Sequence, residues 1–121
     1  MPRESNEDTQ SQVEVVLDIF SGRPNPSWNL SDKQVRELKE RLVGLLVTDR
    51  PSQPLGLGYR GVVVMNHAKD PKLPDQIRAY DSVLTVNEAG RQTAYYKDVN
   101  RVEDWLLDQA RAHGYGELIV T

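Results

Sequence analysis

The chain has 121 residues, of which 38% are hydrophobic and 27% are charged, so its length and composition fit one globular domain with its own core. It has 15 lysines and arginines against 18 acidic residues, and the net charge of -3 argues against a nucleic-acid binder that uses a broad basic face. Cysteine is absent, which excludes disulfides, thiolate zinc sites and cysteine nucleophiles. The longest apolar runs, residues 45–47 and 61–65, are far shorter than the roughly 18 residues that a membrane-spanning helix needs. We therefore expect neither a nucleic acid nor a membrane as partner.

The first twelve residues are polar after Met1, and we predict that residues 1–12 form a disordered tail. A single α+β domain would then occupy residues 13–121. The tail contains no apolar segment of the length found in signal peptides, so we expect a cytoplasmic protein.

Residues 13–20 alternate between two faces and include several β-branched side chains, which predicts a first strand. The two prolines of residues 21–26 end this strand because proline removes a donor from the ladder. Ser31 and Gln34 have the spacing of a capping box, which predicts that a helix begins after Ser31. Apolar residues at helical spacing predict that this helix continues to about Val47. These residues are Val35, Leu38, Leu42, Leu45 and Leu46.

The second half of the chain contains four further predicted elements. The continuous apolar run Val62–Met65 is typical of a central strand. Residues 77–86 and 92–97 flank a glycine-containing turn, which predicts a hairpin with two arms. Asn100 has a glutamate three residues later and is the predicted N-cap of a second helix. Residues 118–120 are apolar and are predicted to form the last strand.

The order of these elements is typical of an α+β domain. We predict a two-layer sandwich in which two helices cover one face of a mostly antiparallel sheet. If one arm of the hairpin is an addition, the order matches the ferredoxin-like β-α-β-β-α-β arrangement. A different α+β roll is the alternative.

The connection 18–28, between the first strand and the first helix, has an unusual composition, with a glycine, two prolines and a tryptophan. Pro24 and Pro26 fix their own φ angles and push the residues before them towards extended conformations, so the connection is predicted to be stiff. Gly22 permits a turn that a Cβ atom would forbid.

Two interpretations of this connection remain open. In a purely structural role, Trp28 packs on the helix or the sheet edge, Arg23 pairs with Asp18 or another carboxylate, and Asn25 caps a turn. In a functional role, Ser21, Arg23 and Asn25 form a polar recess for an anionic or amide ligand, because the planar guanidinium suits carboxylates and phosphates.

The chain resembles a family of small uncharacterised bacterial and fungal proteins. These proteins carry the motif D-[IV]-F-S-G-R-P-N-P-x-W, here residues 18–28, followed here by Leu30-Ser31, and a later L-G-Y-R-G, here residues 57–61. The resemblance implies no particular activity. It raises the question of whether the two motifs meet in space. In a parallel β-α-β unit they would lie at opposite edges of the sheet, unless residues 48–61 fold back across the domain.

The main functional hypothesis is a non-catalytic binding module for a small anionic ligand or a protein segment. The alternatives are a small enzyme in which Arg23 and Asn25 stabilise an anion beside a base such as Asp18 or His67, and an accessory protein that forms a homodimer through its sheet. No cofactor and no metal are predicted. The predicted ligand-binding residues are Ser21, Gly22, Arg23, Asn25 and Trp28, with Tyr59 and Arg60 as second contributors.

Other patterns in the sequence are weaker. Residues 56–61 fit G-x-G-x-x-G, but they precede a strand, whereas a dinucleotide-binding fingerprint opens a helix. His67 and Asp70 form a loose pair without a third metal ligand at a characteristic spacing. Tyr95 and Tyr96 lie on opposite faces of one predicted strand, unlike the aromatic residues of an RNA-binding sheet.

Overall fold

The computed structural model of the protein describes residues 9–20, 22–51 and 58–119. These residues form six strands, two helices and a short 3₁₀ helix at Gly116–Leu118. The elements in chain order are β1 (Gln10–Leu17), β2 (Ser27–Ser31), α1 (Asp32–Arg41), β3 (Val62–Asn66), β4 (Gln76–Tyr80), β5 (Val83–Asn87), β6 (Ala94–Lys97) and α2 (Val102–Ala112). Within these ranges, neither helix has the length and apolar character that crossing a membrane requires.

The strands form one sheet in the order β2-β1-β3-β4-β5-β6, and every neighbouring pair is antiparallel. An α+β domain built on an antiparallel sheet is therefore confirmed. The ferredoxin-like order is not confirmed, because it requires a parallel β-α-β unit, whereas β1 and β3 are antiparallel, with Leu17 opposite Val62. The physical reason is an additional strand, β2, which reverses the chain before the first helix.

Both helices lie on one face of the sheet and share one hydrophobic core with it. Helix α1 contacts β1 and β2, and α2 contacts β3 and β4. The strand residues alternate accordingly, as in β1, where Val13, Val15 and Leu17 are buried in this core. No helix of the described residues covers the opposite face, to which Glu14, Val16 and their cross-strand neighbours belong. We call it the helix-free face.

Strand β2 was not predicted. Trp28 and Leu30 are buried, whereas Ser27 and Asn29 are exposed, which is the period-two pattern of a strand with one buried face. The pattern spans only five residues and ends at the Ser31 cap, so in the sequence it is hard to distinguish from the connection to the helix. Pairing with β1 places Trp28 opposite Val15.

The N-terminus of α1 is formed as predicted. The Ser31 hydroxyl oxygen accepts a hydrogen bond from the Gln34 backbone N–H at 3.2 Å, and the Gln34 side-chain oxygen accepts one from the Ser31 N–H at 2.8 Å. The C-terminus is different, because the helix ends at Arg41 and not near Val47. Gly44, with φ +74°, turns the chain away from the helix axis soon after that end.

The predicted arm 77–86 is in fact two strands, β4 and β5. Asp81 and Ser82 both have positive φ, 52° and 68°, and together they form the two-residue turn between these strands. Turns of this kind usually contain glycine or asparagine, so Asp81-Ser82 gave a weak signal. The first strand likewise begins at Gln10, and not at Val13.

The predicted cap of α2 was wrong. The Asp98 carboxylate accepts hydrogen bonds from the N–H groups of Val102 and Glu103 at 2.7 and 2.9 Å, and so performs the capping function. Asn100 instead donates to the carbonyl oxygen of Arg41 at 2.8 Å. The predicted last strand, 118–120, is also wrong where it is described, because Leu118 belongs to the 3₁₀ helix. Val120 lies outside the described residues.

Candidate functional site

The two sequence motifs meet at Asp18. Because β1 and β3 are antiparallel neighbours, the end of β1 lies beside the start of β3, and no fold-back of residues 48–61 is needed. The Asp18 N–H donates to the Gly61 carbonyl at 3.0 Å, and the Arg60 N–H donates to the Asp18 carbonyl at 2.8 Å. Gly61 has φ +121°, and a Cβ atom there would lie 3.0 Å from the Ala79 carbonyl oxygen. Glycine is therefore required for this close approach.

Two arginines bind the Asp18 carboxylate. Arg60 Nη2 lies 3.0 Å from Oδ1, and Arg78 Nη1 lies 2.7 Å from Oδ2. The Asp18 side chain is only 17% exposed. Burial acts to raise the pKa of this carboxyl, but the hydrogen bonds and charges of Arg78 and Arg60 outweigh it and hold the pKa below its ordinary value. Asp18 is therefore a firmly ionised carboxylate.

Asn25 folds the loop back onto the end of β1. Its Oδ1 accepts hydrogen bonds from the N–H groups of Ile19 and Phe20 at 2.9 and 2.7 Å, and its Nδ2 lies 3.5 Å from Asp18 Oδ1. The Leu17 N–H donates to the carbonyl of Pro26 at 2.9 Å. The amide of Asn25 is thus used to hold the backbone, as in the structural interpretation of this residue.

Arg23 lies at the exposed tip of the same loop. Its guanidinium carbon is 3.8 Å from the centre of the Phe20 ring, which is a cation–π contact. The predicted pairing of Arg23 with Asp18 or another carboxylate is wrong within the described residues, where no acidic partner lies beside it. Gly22 precedes it with φ +84° and open space around its Cα. Ser21, the remaining predicted member of the recess, lies outside the described residues.

Trp28 belongs to the core and not to the recess. It is 6% exposed, and its indole Nε1 donates to Gln109 Oε1 at 3.0 Å. Its ring stacks on His113 at 5.2 Å and lies 6.1 Å from the Tyr115 ring. The prediction that it binds a ligand has no support in these contacts, which are those of a residue that fixes α2 to β2.

Tyr59 also faces inward. Its hydroxyl hydrogen bonds to the Glu103 carboxylate at the start of α2, and its ring lies 5.8 Å from that of Tyr80. Burial, the bond to Glu103 and the negative charge there all raise the pKa of the Tyr59 hydroxyl far above its usual range. Burial also raises the pKa of Glu103. Tyr59 therefore ties the second motif to α2, away from Arg23.

A shallow depression of about 350 Å³ adjoins the Asp18 cluster on the helix-free face. It combines an apolar part with a polar margin. The apolar residues are Val16, Val63 and Met65, and the polar ones are Glu14, Asp18, Asn25, His67, Gln76 and Arg78. At its far end His67 Nε2 lies 3.0 Å from Glu14 Oε1.

Arg78 and Phe20 are the residues that sequence reasoning missed. Arg78 lies on β4, and its position beside Asp18 depends on the pairing of Val63 with Arg78 across β3, which no local pattern encodes. Phe20 lies within the first motif, but its contact with the Arg23 guanidinium was not predicted. The sequence signal for this contact was the position of Arg23, three residues after Phe20.

No group of three or more histidine and acidic side chains suited to a metal ion occurs among the residues described. His67 pairs with Glu14, and Asp70 pairs instead with Lys39 at 2.7 Å. The loose His67–Asp70 pair noted in the sequence therefore does not form a ligand set here.

The chain matches no protein-family model, and no curated protein or solved structure shows a significant similarity to it.

Proposed function

We propose that the protein is a non-catalytic binding module that recognises an anionic group through the Gly22–Asn25 loop. The observation that carries this proposal is a local excess of positive charge. Arg60 and Arg78 share the single carboxylate of Asp18, and Arg23 lies on the ring of Phe20, whose carbonyl accepts a hydrogen bond from Arg60. On a chain whose net charge is -3, such an excess attracts an anion from solution.

Arg23 is the contact residue in this proposal. Its fork of donors is directed neither to an acid nor to a carbonyl of the described residues, and its flat face rests on Phe20. The loop that carries it is braced by Pro24 and by the Asn25 hydrogen bonds. A guanidinium held in this way loses less conformational entropy when it binds a carboxylate or phosphate than one on a flexible loop.

Arg60 and Arg78 add positive charge to the proposed site without being its contact residues. Arg60 also donates to the Phe20 carbonyl at 2.9 Å, so Arg60 contacts the backbone of Phe20 and Arg23 contacts its ring. The depression beside Arg78 offers apolar surface for the remainder of a ligand. A small anionic molecule with an apolar part, or a protein segment with an acidic side chain, fits this arrangement.

A binding role is favoured over the alternative of a small enzyme. A general base needs a pKa near the working pH, whereas the pKa of Asp18 is held low. Asn25 uses its amide oxygen internally, and His67 lies against Glu14. The proposal needs no cofactor.

The proposal is tested by NMR titration of the ¹⁵N-labelled protein with inorganic phosphate and, separately, with acetate. We expect saturable shifts at the Gly22 amide and the Arg23 Nε. Arg23→Ala is expected to weaken phosphate binding about tenfold or more, because charge-assisted hydrogen bonds are lost. The free energy of unfolding should fall by less than about 1 kcal/mol, the value of an exposed cation–π contact.

Arg111→Ala is the matched control, because it removes the same charge from an exposed arginine of α2 that pairs only with Asp108 on the surface. Equal weakening in both variants would mean that only net charge matters. Shifts that stay linear with concentration in the wild-type protein would mean that no site exists. Either result contradicts the proposal.

A further inference from the structure

An exposed apolar patch lies beside β6, where the segment that follows α1 meets the edge of the sheet. Four large hydrophobic side chains are exposed among the described residues, and all of them lie here: Val43 (72%), Leu46 (57%), Val47 (77%) and Val99 (48%). Asn100 Nδ2 donates to the carbonyls of Arg41 and Val43, which places the chain around Val99 against the end of α1. Single exposed hydrophobic residues need no explanation, but a cluster of them is typical of an interaction surface.

The same segment extends the sheet beyond β6. Val47 forms an antiparallel bridge with Tyr96, flanked by hydrogen bonds from the Thr48 N–H to Tyr95 at 2.9 Å and from the Lys97 N–H to Leu46 at 2.8 Å. In this pattern the bridged residue is a non-hydrogen-bonded pair, so its own N–H and C=O point away from β6. Within the described ranges, neither group of Val47 has a hydrogen-bond partner. We call residues 45–49 the outer edge.

We propose that the outer edge pairs with the outer edge of a second copy of this chain, in antiparallel orientation about a twofold axis at Val47. The two Val47 residues then exchange both of their free N–H···O=C bonds. This pairing is independent of the anion site. That site lies away from β6, at the end of β1 and the start of β3.

The register about Val47 is what favours a second copy as the occupant. Pairing about this residue places Leu46 opposite Thr48 and Leu45 opposite Asp49, while Arg50 lies opposite Gly44 of the other chain. No two like charges face each other directly, which is the requirement for a stable antiparallel pair. The outward N–H and C=O of Val47 are thus matched by the same two groups of a second copy, and no repulsion between like charges opposes this register.

A twofold arrangement also limits further growth. It consumes the outer edge of both chains and covers the exposed side chains of Leu46 and Val47, so the assembly closes as a dimer. An exposed apolar edge left unpaired is a site of uncontrolled aggregation. No proline lies within the outer edge, and Asp49 is its only charged residue, so the usual means of blocking such an edge are few.

Two measurements on the full chain test the proposal. Sedimentation equilibrium over a wide concentration range should show a monomer–dimer equilibrium. Hydrogen exchange should show a Val47 amide that is protected at high concentration and exchanges freely on dilution. A strict monomer, or a Val47 amide whose exchange is independent of concentration, overturns the proposal.

Val47→Pro and Val47→Thr form the matched pair of variants. Proline removes the outward N–H but none of the bonds to β6, and it is tolerated at edges whose N–H faces solvent, whereas threonine keeps the N–H and the β-branch. We expect Val47→Pro to weaken dimerisation at least about tenfold, since two symmetric hydrogen bonds are lost, and Val47→Thr to change it little.

A double variant, Val43→Lys with Leu46→Lys, leaves the backbone intact and guards against misfolding of the proline variant. It should also abolish the dimer, while its thermal unfolding stays close to that of the wild type. A dimer that survives both Val47→Pro and the lysine variant uses another surface, and the proposal is then wrong. The proposal is also wrong if the outer edge of the wild-type protein binds a different protein and does not bind a second copy of itself.

Discussion

The β1–β2 connection and the segment that follows α1 both turn through a glycine with positive φ, yet they are held in opposite ways. Side chains hold the first: Asp18 binds two arginines, and Asn25 binds two backbone N–H groups. The second is held by backbone hydrogen bonds to β6 and by the amide of Asn100. The charged loop is therefore polar and braced by side chains, whereas the other segment leaves the apolar side chains of Val43, Leu46 and Val47 exposed.

This difference shows that one small domain can carry two chemically distinct surfaces on two of its connections. Where side chains brace a loop, a single residue at its tip, such as Arg23, remains available to contact a ligand. Where the backbone does the bracing, Leu42 and Leu45 pack on the core, while the exposed side chains of Val43, Leu46 and Val47 are left to form a surface. The two regions should consequently respond differently to substitution.

The largest effect is expected at the end of the braced connection. Trp28→Ala should lower the free energy of unfolding by about 3–5 kcal/mol, because a buried indole and its bond to Gln109 are lost. Urea denaturation at neutral pH measures this. A loss below about 1 kcal/mol, the usual effect of a surface change, would mean that Trp28 is not part of the core.

A smaller effect is expected for Asp18→Asn, which should cost about 2–3 kcal/mol at pH 7 because two arginines lose their partner. The pKa of Asp18 is lower in the folded protein than in the unfolded chain. Its contribution is therefore present above the unfolded pKa and is lost as the pH falls through the folded one.

Urea denaturation of the wild type and Asp18→Asn at several pH values measures this contribution. The difference in stability should be constant above about pH 5 and should shrink below about pH 4. A difference that persists unchanged to pH 3 would show that the ionised carboxylate is not what the arginines stabilise.

The smallest effect is expected at the segment after α1. Gly44→Ala should cost about 1 kcal/mol, because φ +74° is unfavourable for alanine, although its Cβ would meet no atom within 4 Å. Gly61→Ala serves as the comparison, since there the Cβ also clashes with Ala79 and Tyr80. Thermal unfolding of both variants checks the order. Equal losses would show that packing around Gly61 relaxes and that backbone conformation alone matters.

Much of the architecture could be predicted from local patterns. The capping box of Ser31 and Gln34, the strand Val62–Met65 and the second helix are encoded within a few residues each, and they are present in the structure. The misses were short or atypical signals. Strand β2 has only five residues, and the β4–β5 turn is made by Asp81-Ser82 without glycine.

The candidate site was predicted in part. Arg23 and Asn25 lie on the predicted loop, and Arg60 is joined to Asn25 through Asp18. Trp28 and Tyr59, in contrast, point inward. An aromatic residue in a polar loop looks the same in sequence whether it faces solvent or core. Which of the two it does depends on α2, more than seventy residues away, since the partner of Trp28 is Gln109.

The sequence by itself determined the class of the domain, the start of α1 and the stiffness of the 22–26 loop, because capping, periodicity and proline geometry act between near neighbours. The tertiary structure alone decided that β1 and β3 run antiparallel. This pairing in turn determines which side chains contact the Asp18 carboxylate. Strand pairing brings together residues that are about forty to sixty positions apart, as in Asp18 with Arg60 and Arg78. Such pairings are selected by the packing of the whole sheet, and no single segment contains the information.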